Sequence, residues 1–175
     1  GRSFDDLDVD LAVVAMDLEY GQRVIFTSRR VAAQMNSEEL NRFLPEPTDR
    51  MPGCSTRIVT DCPSIGQAVR ASCAVPGVFV PVEIQDMRLV DGGVVDQVPV
   101  DVIRAMGARL SSGVSLGLAS LAERPKSTIS VMSSMIGILG LQQLRKSLES
   151  ADIGFQIRGI DQRSLINPRK TDLLE

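Results

Sequence analysis

No histidine occurs anywhere in this chain. Ser-His-Asp and Cys-His catalysis both move a proton through an imidazole, so neither can operate within these residues. Chemistry run by carboxylates, by lysine, or by a serine paired with a carboxylate stays open, as does no chemistry at all. Cysteine is scarce as well. Cys54, Cys62 and Cys73 form an odd set without metal-ligand spacing, and no histidine completes a mixed site. No metal and no organic cofactor are expected, and a reducing, cytoplasmic setting fits the thiols. Tryptophan is absent and aromatics make up 3% of the chain, which leaves little for base stacking. Positive charge is not in excess either: the net charge is -3 and the pI near 5.1, so no broad basic field exists to capture nucleic acid. No run approaches the about 18 consecutive apolar residues of a membrane-spanning helix, and a soluble protein is expected. The start, Gly1-Arg2-Ser3-Phe4, has no initiator Met and none of the features of a signal peptide, and reads as a domain cut from a longer polypeptide.

What is present fits one globular unit over residues 1–175: 43% hydrophobic and 23% charged residues suffice for an α/β or α+β core. The apolar run 11–16 predicts a buried strand, followed by a turn and a second strand over 23–27. Residues 28–62 are polar and proline-bearing, and read as a surface excursion with one helix near 37–43. Ser64 is placed to cap a helix that carries Ile65, Ala68 and Val69 and stops at Pro76 and Gly77. Residues 82–84 and 87–90 then form a small hairpin delivering Asp91-Gly92-Gly93 at its end. A helix over 100–106 stops at Gly107, with Pro99 at its first turn. Residues 110–118 make a strand of poor propensity. A long helix over 127–150 carries Ile129, Met132, Ile136, Leu139, Leu144 and Leu148 near helical spacing, with Gly137 and Gly140 marking weakness or close packing. Its apolar face reads as core. A last short strand covers 153–157.

Three patterns stand in order along this chain: Ala15-Met16-Asp17-Leu18 with Gly21; Ala71-Ser72-Cys73-Ala74-Val75-Pro76-Gly77-Val78-Phe79-Val80-Pro81; and Asp91-Gly92-Gly93 with Pro99. Together they resemble the patatin-like phospholipases. The resemblance implies a three-layer α/β fold, a mixed sheet flanked by helices, and a serine-aspartate dyad that dispenses with histidine. In that family a Gly-x-Ser-x-Gly elbow and a glycine-rich oxyanion loop lie upstream of all three patterns, and neither precedes Asp17 here. The family's catalytic aspartate falls on Asp91. Its task would be to accept the serine proton and hold the hydroxyl in its attacking rotamer. Gly92 and Gly93, without Cβ atoms, let the chain turn and leave the carboxylate open. Ser72 and Pro76 are assigned support of the site rather than chemistry, and Asp17 a turn or capping role.

Gly113-Val114-Ser115-Leu116-Gly117 also satisfies Gly-x-Ser-x-Gly letter for letter. An elbow needs an apolar strand before the serine and a helix directly after it. Ser111-Ser112 precede this one, and Pro125 follows too soon for a helix of useful length, so Ser115 is not assigned as the nucleophile. Two departures from the family wording stand out: Asp96-Gln97 where members often carry Asn-Asn, and the polar stretch 109–113 where an apolar strand is expected.

The resemblance therefore implies part of a lipid acyl hydrolase acting on a lipid or other ester, inert as an isolated chain. A sheet left without its preceding strands would self-associate or pair with the missing amino-terminal half. The parent enzyme would be cytoplasmic or peripheral to a membrane. The second reading is a catalytically silent patatin-like module kept for binding or regulation, acting through residues 28–62.

Overall fold

The structure is a computed structural model that describes residues 1–40, 55–115 and 127–157. Its centre is a mixed five-stranded sheet of order β3-β2-β1-β5-β4. β1 (Ala12–Asp17) and β2 (Gln22–Thr27) form the predicted antiparallel hairpin, turning at Gly21 with φ +65°. β3 (Thr56–Val59) runs parallel to β2 at one edge, and β4 (Val82–Ile84) pairs with β5 (Met87–Asp91) at the other.

Alternation along β2 divides the core into two faces. Val24 and Phe26 point into a cluster with Ala15, Ala68, Ala71, Met87 and Leu89 beneath α3 (Ile65–Ser72). Ile25 points the other way, to Val14, Leu40, Val102 and Ala105, beneath α2 (Ser37–Leu40) and α4 (Val100–Ala105). Helices thus cover both faces of the sheet, which is the expected α/β architecture.

α3 begins as expected. The Ser64 hydroxyl accepts the Gln67 N–H at 3.3 Å, and the small side chains of Ala68 and Ala71 let the helix lie close on the sheet. α4 ends at Gly107, whose φ of +95° only glycine adopts freely.

Residues 28–62 are more than a surface excursion. Residues 56–59 join the sheet, and Val31 and Leu40 are buried. A short helix, α1 (Arg29–Ala32), opens the segment with Ser28 as its cap, while residues 41–54 lie outside the described residues. The described part of the strand predicted over 110–118 is β6 (Ser112–Ser115), with 116–118 outside the described residues. β6 pairs in parallel with β7 (Ile153–Gln156) in a separate two-stranded sheet. α5 (Thr128–Ser150) connects them, in its expected place. It buries Leu144 and half-buries Ile136 and Leu148, but Met132 stays 44% exposed, and the side chains of Ile129 and Leu139 lie outside the described set. The helix comes close at Gly140, where a Cβ would fall 2.4 Å from Gln97 Nε2.

Candidate active site

Asp91 is the last residue of β5, where the antiparallel pairing with β1 ends opposite Ala15. Beyond it the chain leaves the sheet in a 3-10 turn over Gly92–Val94. Asp91 Oδ1 accepts the Gly93 N–H at 2.7 Å, so the carboxylate caps its own turn. Its own N–H donates to the Ala74 carbonyl at 3.0 Å, tying the end of β5 to the loop after α3. The other carboxylate oxygen has no hydrogen-bond partner among the described residues. Burial pushes the Asp91 carboxyl above its ordinary value, with the Gly93 N–H opposing the shift. A base of raised pKa is the better proton acceptor near neutrality.

The two glycines make room for different neighbours. A Cβ on Gly92 would lie 2.3 Å from the Val14 carbonyl oxygen, inside the backbone of β1. A Cβ on Gly93 would lie 3.0 Å from Asp91 Oδ1 and crowd the carboxylate itself.

A cavity of about 390 Å³ opens beside Asp91, lined by Ala12 to Val14 of β1, Val69 and Ser72 of α3, Asp91 to Gly93, and Asp96, Gln97 and Pro99. Four of the five residues expected at the site, Asp91, Gly92, Gly93 and Ser72, therefore meet at one place. Pro76 does not line the cavity; it lies in the loop whose Ala74 carbonyl holds Asp91. Ser115 is buried in β6 and does not line it either. Asp17 stands at the far end of β1, fully buried, with Oδ1 accepting the Glu19 N–H at 3.1 Å, a turn-closing bond. Among the described residues no three Cys, Asp or Glu side chains gather where they could hold a metal ion.

Sequence reasoning missed the group behind the cavity wall. Arg23 of β2, Asp96 of the turn and Asp101 of α4 are all buried. Arg23 Nη1 donates to Asp96 Oδ2 at 2.7 Å, and Nη2 stands 2.8 Å from Asp101 Oδ2 while donating to the Leu40 carbonyl. The guanidinium Nε donates to Thr56 Oγ1 at 3.2 Å. The available signal was a lone arginine opening an apolar strand, Arg23-Val24-Ile25-Phe26, which on a covered face must find buried acids.

Comparison with known proteins agrees with the motifs. Residues 23–104 match the family model of the patatin-like phospholipases. The match takes in Arg23, α3, Asp91, the two glycines, Asp96 and Asp101, and leaves out only the β1 wall of the cavity. More narrowly, 49 residues are 45% identical to uncharacterized NTE family proteins of Mycobacterium bovis and of two Mycobacterium tuberculosis strains, CDC 1551 and H37Rv. That stretch is 28% of this chain and spans 14% of the length of each of these curated relatives.

Proposed function

We propose that this chain is the aspartate-bearing part of a patatin-like lipid acyl hydrolase, with Asp91 as the base of a serine-aspartate dyad. The observation that carries the reading is the placing of Asp91. Its carboxylate ends a central strand, one oxygen is pinned by the Gly93 N–H, and the side chain lines a cavity walled partly by apolar residues. A serine hydroxyl brought to the free oxygen would lose its proton to Asp91 as it attacks an ester carbonyl. Asp91 would hand that proton to the departing alcohol as the acyl-serine forms, and a water deprotonated by the same carboxylate would then split the acyl-serine into free acid and serine, the serine oxygen taking the proton back. The serine belongs to polypeptide outside this chain, so the chain alone is inert. Lipid or simple ester is the substrate class, and the apolar wall of Ala12, Val13, Val14 and Val69 suits an acyl chain.

The test is Asp91→Asn in a polypeptide extended to include the Gly-x-Ser-x-Gly elbow. Hydrolysis of a p-nitrophenyl acyl ester should fall about 100-fold or more, as loss of a general base does, with the thermal midpoint little changed. An unaltered rate in a folded variant overturns the dyad role and leaves the silent binding module as the better account.

A further inference from the structure

At the cavity wall, two buried carboxylates share one cation. The side chains of Arg23, Asp96 and Asp101 are 1%, 3% and 2% exposed. With both acids ionised the group would carry net negative charge in a low-dielectric interior, which is costly for like charges in near contact. The hydrogen bonding shows the same deficit. Asp96 Oδ1 and Asp101 Oδ2 are buried without an aligned donor. Arg23 donates to Thr56, Asp96 and the Leu40 carbonyl, and its Nη2, 2.8 Å from Asp101 Oδ2, has no N–H aligned with that oxygen. The Asp96 and Asp101 carboxyls stand 2.7 and 2.8 Å from the same guanidinium, so a single proton held by the pair would supply a donor and cancel the excess charge.

Such a proton would act on the site. The Asp96 N–H donates to the Gly92 carbonyl at 2.8 Å, one residue past Asp91, and Asp96 itself lines the cavity. Asp101 sits in the first turn of α4, immediately after Pro99. Arg23 therefore grips the segment 92–101 at two points from the strand beneath it.

We propose that Asp96 and Asp101 hold one proton between them and act as positioning residues for Asp91, the protonated pair closing on Arg23 and fixing the turn on which the Asp91 carboxylate rests. The proposal stands on the buried cluster and leans on the hydrolase reading only for the importance of what is positioned. Arg23 from β2 and Asp101 from α4 are the charges that act on Asp96; β3 contributes the neutral Thr56 and the end of α2 a carbonyl, and Asp91 lies across the cavity. Burial, reinforced by the charge of Asp101 and opposed by Arg23, raises the Asp96 carboxyl from 3.8 to about 6.

The experiment is a pH titration of this chain by NMR, following the side-chain carboxyl carbon of Asp96 and the amide of Gly93, whose N–H binds Asp91. Asp96 should titrate near pH 6, and the Gly93 amide should show an inflection at the same pH besides that of Asp91. Asp96→Asn, which supplies a permanent donor, should remove that inflection and keep the other. A merely structural ion pair would leave the Gly93 profile the same in both proteins. Asp96 titrating in the ordinary carboxylate range, or a Gly93 inflection near pH 6 that survives Asp96→Asn, overturns the proposal. Should the variant fail to fold, the wild-type titration still decides: two different midpoints for Asp96 and for the shared Gly93 inflection refute the coupling.

Discussion

Gly92 has almost no freedom to change. Its α-carbon rests on the Val14 carbonyl, and the atom it would collide with belongs to the backbone of a central strand, which cannot swing aside. Gly92→Ala should cost about 1–3 kcal/mol, the usual range for overpacking, read as a lower urea midpoint at unchanged m-value. Asp96 gives a prediction of opposite sign. Its folded-state pKa is raised, so the folded protein holds a proton that the unfolded chain releases near pH 4. That contribution is complete below pH 4 and is lost as the pH rises through about 6. Asp96→Asn should therefore leave the thermal midpoint near that of wild type at pH 4 and raise it above wild type at pH 7. Equal midpoints at both values would show that no proton is retained.

The position of Asp91 at the end of the β4–β5 hairpin was legible from sequence, because Asp-Gly-Gly follows two short strand patterns and a proline-bounded run. The Arg23 cluster was not legible. Asp96 and Asp101 look like ordinary polar residues around Pro99, and their partner stands in a strand 73 residues earlier than Asp96. Pairing across that separation is set by which face of β2 Arg23 takes, and that face is decided only once α4 lies over it.

At the scale of elements, α3 shows how local chemistry fixes a boundary. Ser64 closes the first turn, Ala68 and Ala71 set the close approach to the sheet, and Ala74 then reaches the N–H of Asp91. Ser64→Ala should lower stability by about 1 kcal/mol, the typical worth of an N-cap, measured by denaturant unfolding. The hairpin of β4 and β5 and the helix α4 were equally readable, since each has its own turn or stop signal. β3 was not. It has four residues, it follows Pro52 and Gly53, and it holds its place by parallel pairing with β2, for which no local pattern exists. The core-face reading of α5 succeeded at Leu144, which packs with Val98 and Val100, and fell short at Met132, which stays exposed.

For the whole molecule, the uncovered apolar surface is the most informative property. Among the described residues no helix is long and apolar enough to cross a membrane. Yet Val78, Phe79 and Val80 lie 58%, 60% and 81% exposed in the loop after α3, and Met135 and Ile138 are 56% and 53% exposed on α5. β7 is exposed along its whole length, although parallel strands are ordinarily covered on both faces. We propose that these surfaces and the sheet edges make the chain associate, with copies of itself or with the serine-bearing polypeptide. Light scattering should give a dimer or larger species at micromolar concentration, and a monomer across a wide concentration range would reject this.

The central claim is that Asp91 serves a serine this chain does not contain, and an activity probe tests that without knowledge of the substrate. The purified chain is treated with a fluorophosphonate, which reports an activated serine, and analysed by intact mass and peptide mapping. No adduct is expected, and a polypeptide extended to include the serine elbow should label stoichiometrically and lose that labelling with Asp91→Asn. A stoichiometric adduct on the chain alone, at Ser115 or Ser72, would show that it carries its own nucleophile and would contradict the account.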